Sequence, residues 1–540
     1  MNELEQFSGH TNNSETTAND SQNQELHQTR ATWFRKLALP SICYAFCYTI
    51  CNYHNDYGIG IFIWIVLTIC FANYVLKQSN VTINKKSSYF YLIIMCALGI
   101  STILTTNLWI LFCNRIGFYL LLVYFLLLQT QNTGSWNIWD ACCAMLEAII
   151  GAISQLPAPI QEWYSWFCYK EHHQKQREQR RLILIGIGIS IPCVLFLGML
   201  LKSADAVFGS MFSCISFDGI LSIEGIVILI MFFFGLFAFY CGMHYILTKS
   251  AEAQTESERV VTKHPAIIAQ IFTTAILALY ACFCLIQIVF LFGGWGTLPR
   301  AMTYANYARS GFFQLLFVCI LNLLFVIFVK YRFETSKYLN VVLFGICICS
   351  YIMTASSAYR MILYIQAYHL TVLRIVVLVA LFTIALILTC ICRHIFDADF
   401  HLLKWMVVII CVMYTLFSLM HVDRFVAAYN LNYLTEHNAP ETMRYLRTLS
   451  LDAIPVTLDY LKNADEESYA ADLYHIVQAE YLYPDISDEK AVAALIDSYD
   501  GWLSTWLRTY EDVLCSQGPS TWNLSIYQAK SALQAFFLPD

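Results

Sequence analysis

The sequence predicts an all-α, polytopic membrane protein of about eleven transmembrane helices, with a small helical extracytoplasmic C-terminal domain. Three observations lead there. Of 540 residues, 58% are hydrophobic and 13% charged, and mean hydropathy is +0.55; soluble domains carry about 25% charged residues. Apolar runs approaching the roughly 20 residues that cross hydrocarbon recur along most of the chain. Lysine and arginine then alternate from loop to loop, as the positive-inside bias requires.

Residues 1–32 form a polar tail rich in Asn, Gln, Ser, Thr and Glu, which cannot bury a core and is expected to be disordered. It lacks the basic n-region and short h-region of a cleavable signal, so the first apolar helix reads as an uncleaved anchor. Within 33–130 the expected spans are Leu37–Tyr53, Gly58–Leu76, Tyr89–Phe112 and Ile116–Gln129, the last short for a crossing. In 131–181, Ile138–Leu156 is amphipathic: Asp140, Ala144, Glu147, Gly151 and Ser154 share one face. Such a helix is expected to lie in the interface, with Trp163 and Trp166 in an aromatic belt. The membrane core, 182–420, supplies Leu182–Leu201, Ile226–Leu247, Ala266–Phe292, Gly311–Val329, Leu339–Ala355, Thr371–Cys392 and Leu402–Leu419. From 421 to 540 the chain turns acidic and helical; Ala491, Leu495, Tyr499, Leu503, Trp506 and Tyr510 make an apolar stripe.

The densest basic loop, EHHQKQREQRR, precedes Leu182 and is assigned to the cytoplasm. Counting outward, Lys77, Lys85, Lys86, Lys249, Arg259, Lys263, Lys330, Arg332, Lys337, Arg393 and Lys404 fall on that side. Arg115, Lys202, Arg300, Arg309, Arg360 and Arg374 fall opposite. The N-terminus is therefore expected inside and the C-terminal domain outside.

Most of the 21 cysteines lie in apolar runs. Pairs two residues apart, such as Cys347/Cys349, put their sulfurs on opposite sides of a helix and suit packing rather than chelation. No P-loop, H-E-x-x-H or G-x-S-x-G motif is present, so no catalytic residue, metal or cofactor is assigned and nucleic acid is not an expected partner. The polar segments that stand out all fall on the outer side: KSADAVF, PRAMTYANYARSGFF, SSAYRMILYIQAYHLTVLR and HVDRFVAAYNLNYL. Asp205, Tyr304, Tyr307, Arg309, Arg360, Asp423 and Arg424 are their candidate ligand-binding residues. Outer arginines run against the positive-inside bias. Two readings stay open: they pin loops through snorkelling or ion pairs, or they hold an anion such as lipid phosphate.

Five pieces carry a family resemblance: SADAVF, TYANYARSGFFQL, SSAYRMILYIQAYHLTVLR, AAYNLNYL and YLRTLSLDAIP. In this order they resemble a bacterial membrane-protein family known as domain of unknown function 4173, related to the 4153 family. The resemblance covers roughly Leu182 to Pro455 and implies a multi-pass protein of the bacterial plasma membrane, with no activity attached. Where that family usually has Tyr-Gly-Leu-Thr, this chain has Tyr368-His369-Leu370-Thr371. The functional expectation is a non-enzymatic protein that senses, scaffolds or regulates at the outer face, with membrane lipid, including anionic lipid, as partner. A transporter is one alternative. A glycosyltransferase using a lipid-linked donor is another, disfavoured because the first outer loop is only CNYHNDYG.

Overall fold

The computed structural model describes residues 2–81, 85–131, 133–134, 136–168, 183, 186, 190, 194, 223–253, 263–289, 312–397, 399–434, 442, 445–446, 448–462 and 519–537. The helices are α1 (Asn2–Asn52), α2 (Ile59–Gln78), α3 (Lys85–Leu104), α4 (Leu108–Thr130), α5 (Ile138–Ser154), α6 (Ala158–Cys168), α7 (Ile223–Ala253) and α8 (Ala266–Gln287). They continue with α9 (Phe312–Arg332), α10 (Lys337–Tyr368), α11 (Val372–Phe396), α12 (Leu402–Leu419), α13 (Val422–Asn432), α14 (Ile454–Lys462) and α15 (Leu524–Phe537). Among the described residues, eight helices are long and apolar enough to cross a membrane, and the α5–α6 pair would make a ninth if it were one span. The expected span Leu182–Leu201 and the stripe Ala491–Tyr510 lie outside the described residues.

Two expected boundaries are corrected. The third and fourth spans divide at Thr105–Asn107, not near Arg115, so α4 is a full-length helix of 23 residues. The cause is local: the Asn107 side chain accepts from the backbone N–H of Trp109 and Ile110 at 3.0 and 3.2 Å, capping α4. The ninth expected span does not stop at Ala355, because α10 runs unbroken to Tyr368. Its polar residues face inward: Ser356 and Ser357 are fully buried and Arg360 is 5% exposed. α1 begins upstream of Leu37.

Three apolar clusters hold the bundle together. One joins α1–α4, α5 and α7 around Trp64, Tyr240, Phe118 and Phe125. A second joins α8–α12 around Leu339, Leu343, Ile346 and Cys347. The third unites α10 and α11 with the C-terminal segment, where Ile375 and Leu381 share a core with Val426, Leu446, Ile454 and Ile526.

Hydrogen bonds between helix ends sort the bundle into two poles. Ser250 Oγ donates to the Thr130 carbonyl at 2.9 Å, His264 N–H to the Arg332 carbonyl at 2.9 Å, and Lys330 Nζ to the Ile395 carbonyl at 3.1 Å. These bonds gather Lys249, Lys330, Arg332, Lys337 and Arg393 at one pole. At the other, the backbone N–H of Gly58 and Ile59 donate to the carbonyls of Thr102 and Trp522 at 2.9 and 3.0 Å. Gly58 has φ +97°, and a Cβ there would sit 2.8 Å from the Trp522 carbonyl oxygen. Only glycine fits.

α5 and α6 are bent by 51°. α5 follows Thr130 at the lysine-rich pole, and Glu147 pairs with Lys249 at 2.7 Å. α6 returns to the same pole: Ser165 bonds His27 at 3.0 Å, and Trp166 packs on Phe34 with ring centroids 5.3 Å apart. Both ends of the pair thus meet the chain at one pole.

The α10–α11 turn is strapped from three sides. Asn430 accepts from Leu370 N–H and donates to its carbonyl, both at 2.9 Å. Tyr445 accepts from Val372 N–H at 2.9 Å, and Arg374 donates to the Tyr368 carbonyl at 2.7 Å while lying over the Tyr364 ring. These bonds hold His369 at φ 62°, ψ 179°, a region almost reserved for glycine that costs a side-chain-bearing residue about 1–3 kcal/mol. The glycine usual in the resembling family would fit there without strain. His369→Gly is therefore expected to stabilise the protein by about 0.5–2 kcal/mol after the extra backbone entropy of glycine is subtracted. Thermal melting in detergent checks this; a lower melting temperature would mean that His369 makes contacts worth more than its strain.

Candidate functional site

A dense buried polar assembly lies among the described residues at the pole opposite the lysines, and the α3–α4 turn is its centre. Thr105, Thr106 and Asn107 interrupt two apolar helices, so their backbone and hydroxyl groups need partners inside the protein. Asp452, at 4% exposure, supplies most of them. Its Oδ2 accepts from Thr105 Oγ1 at 2.5 Å; its Oδ1 accepts from Thr106 N–H at 3.0 Å, Thr106 Oγ1 at 2.9 Å and Ser525 Oγ at 2.5 Å. Asn523 donates to the carbonyls of Thr102 and Thr105, both at 3.1 Å, and accepts from Ser525 N–H at 2.8 Å. One carboxylate and one amide thereby lock α14 and α15 onto the bundle.

Asp423 is the second buried acid, at 1% exposure in the first turn of α13. Its Oδ2 accepts from Asn107 Nδ2 at 2.9 Å and Ser450 N–H at 3.0 Å. Its Oδ1 has no hydrogen-bond partner among the described residues. Burial pushes its carboxyl above the ordinary aspartate range, against the pull of the bonds from Ser450 and Asn107, and nearby Asp452 adds to the rise.

Of the candidate ligand-binding residues, Asp205, Tyr304, Tyr307 and Arg309 lie outside the described residues. Arg360 donates through Nη2 to Gln287 Oε1 at 3.1 Å, and Ser356 donates to the same oxygen at 2.7 Å. That pins the end of α8 to α10. Arg424 is exposed, next in sequence to the buried Asp423. Two further arginines of this pole also serve backbone: Arg374 bonds the Tyr368 carbonyl, and Arg115 reaches the carbonyls of Asn55 and Asp56 at 3.0 and 3.2 Å.

A second site had no sequence expectation. Glu162 of α6 is 3% exposed and meets His244 Nε2 at 2.7 Å, with the Tyr240 hydroxyl donating to its other oxygen. The edge of His244 contacts Trp33, and its Nδ1 has no hydrogen-bond partner among the described residues. The available signal was the histidine inside the apolar run of α7, since ionisable groups there are costly and need a partner. Its partner lies 82 residues earlier (244 − 162), and no local pattern pairs them. No cluster of three or more metal-ligating side chains occurs among the described residues.

Membrane-length helices, two chemically distinct poles and polar groups satisfied inside the bundle define a polytopic α-helical membrane protein. Residues 92–460 match the family described as Domain of unknown function (DUF4153). The match covers more than half of the chain, and the protein belongs to that family. This is the related family named beside the 4173 resemblance; the 4173 assignment itself is not what matches. No curated relative and no solved structure matches the chain.

The two acids are expected to respond in opposite ways. Asp452→Ala strands several donors and should destabilise by about 3 kcal/mol or more, at about 1–3 kcal/mol for each stranded donor. Asp423→Asn replaces the unpartnered oxygen with an amide and mimics the protonated acid. A carboxyl whose native pKa is raised adds stability that is complete below its unfolded value, about 3.9, and is lost as pH rises through the native value. Asp423→Asn should therefore melt higher than wild type at neutral pH, with the difference closing as pH falls toward about 4. A gain that persists at low pH would contradict this.

Proposed function

We propose that this chain is a non-enzymatic, multi-pass protein of the bacterial plasma membrane that senses or scaffolds through its extracytoplasmic pole. The N-terminus and lysine-rich pole are cytoplasmic, and the C-terminal segment is outside. One observation carries the reading. Asp452 accepts four hydrogen bonds from the α3–α4 turn and Ser525. A buried carboxylate of that pole is thus committed to docking the C-terminal segment, and an event at that segment is felt directly at the α3–α4 turn. The first outer loop is covered as well, because Ile59 N–H bonds the Trp522 carbonyl. A glycosyltransferase would need that loop open for a substrate.

Tyr527 is 60% exposed on α15, so Tyr527→Cys in an otherwise cysteine-free chain should react with a membrane-impermeant maleimide in intact cells. Labelling only after permeabilisation would reverse the orientation. Coupling is read by hydrogen exchange. Asp452→Asn should accelerate exchange in α15 and in the α3–α4 turn together. Acceleration confined to α15 would reduce the segment to an appendage and remove the basis of the proposal.

A further inference from the structure

At the lysine-rich pole, the ends of α4, α9 and α11 and the starts of α3, α5 and α12 line a partly open cavity of about 860 Å³. That is within the range of small-molecule sites, about 300–1,000 Å³. Its polar wall carries two cations, Lys330 and Lys404, with the imidazoles of His394 and His401 beside them, against the single carboxylate of Asp399. Lys330 is half-buried and donates to neutral acceptors, Asn340 Oδ1 at 3.3 Å and the Ile395 carbonyl at 3.1 Å. Among the described residues neither Lys330 nor Lys404 forms an ion pair. Lys330 instead has like charge beside it, in Lys263, and His394 is within its field. α12 also begins at the cavity with no acidic residue in its first turn, so the partial positive charge of its N-terminus adds to the same sign, whereas Asp140 caps the start of α5.

The remaining walls select the kind of anion. Leu128, Ile327, Leu403 and Val408 extend the lining into the membrane-length helices, while Trp136 and Trp139 stand beside the cations. A soluble anion uses only the cationic wall. A lipid uses both, with tryptophan at headgroup level as in membrane-interface belts.

We infer that this cavity binds the phosphate headgroup of an anionic membrane lipid at the lysine-rich pole, with Lys330 and Lys404 as the principal phosphate contacts and the acyl chains against the α4, α9 and α12 wall. The site is separate from the arginines of the opposite pole and does not depend on the proposed sensing role.

The test uses the full chain purified in a neutral maltoside detergent and melted with added phosphatidylglycerol, phosphatidylcholine or inorganic phosphate. Phosphatidylglycerol should raise the wild-type melting temperature by about 2 °C or more beyond phosphatidylcholine, because a ligand of the folded state stabilises it by mass action. Lys330→Gln/Lys404→Gln should lose most of that shift. Lys77→Gln/Lys337→Gln, which removes the same charge from exposed positions outside the cavity, should retain it. Should the double variant fold poorly, Lys404→Glu alone, at an exposed position, should still cut the shift at least by half. An equal shift in wild type and the cavity variants, or an equal loss in the Lys77/Lys337 control, would overturn the site. A phosphate shift matching that of phosphatidylglycerol and lost in the cavity variants would keep the cationic pocket but overturn its assignment to lipid.

Discussion

Hydrocarbon offers no hydrogen bonds, so every backbone group released where a helix ends must be satisfied by the protein itself. The structure turns on how one such ending is handled. Between α3 and α4 the chain reverses within Thr105–Asn107, and the freed groups are met by Asp452, Asn523 and the cap of Asn107. Because Asp452 and Asn523 come from the C-terminal segment, that segment completes the bundle rather than decorating it. The apolar core follows the same plan, since Ile526 and Ala529 are buried with Ile110, Ile375 and Leu381. Polar closure and apolar burial therefore fix the same docking, and either alone would leave the other's groups exposed.

The two poles use charge in opposite ways. At the C-terminal pole three arginines bond main-chain carbonyls or a side-chain amide: Arg115 to Asn55 and Asp56 (with the Asp56 carboxylate 3.8 Å away), Arg374 to Tyr368, Arg360 to Gln287. A guanidinium has five donors in a planar fork and can serve such acceptors without needing an anion. Arginine at this pole thus acts as a multi-donor cap on chain ends. At the lysine-rich pole the ammonium groups around the cavity include Lys330, bonded to neutral acceptors only. Donors turned onto chain ends build structure, whereas cations facing a cavity leave their charge available.

Hydropathy made α2, α7, α8, α11 and α12 legible nearly to their ends, because their apolar runs are bounded by charged or turn-forming residues. It failed at two places, in opposite directions. Thr105-Thr106-Asn107 carries no charge, so a running average carries the third span past it, although a trio of side-chain capping residues between apolar runs is itself a turn signal. In α10 the polar group Ser356-Ser357-Arg360 reads as a loop, yet those side chains face the bundle interior and the helix passes through. Averaging treats polarity as exposure, while a membrane bundle also places it between helices. Of the candidate site, Asp423 and Arg360 were legible as unusual residues, but their partners Asn107, Ser450 and Gln287 were not, because each lies far away in sequence. Glu162 and His244 were missed on the same ground.

The C-terminal pole also holds two costly features: His369 at φ 62° and a buried carboxylate oxygen of Asp423 with no hydrogen-bond partner among the described residues. Both sit on the connections between α10–α11 and α13, and both touch what the C-terminal segment supplies: Tyr445 braces Val372 beside the strained turn, and Ser450 bonds Asp423. Strain persists only where its surroundings over-determine it. Here part of the restraint, the Tyr445 and Ser450 bonds, comes from the segment that Asp452 anchors, while Asn430, Arg374 and Asn107 supply the rest, so loosening that anchor relaxes both features together without freeing either. An element whose docked form carries stored cost has a smaller free-energy gap to its released form than its many contacts suggest. A small gap is the physical requirement for a two-state element. In this protein the stored cost lies at the pole where the C-terminal segment closes over the ends of the membrane helices.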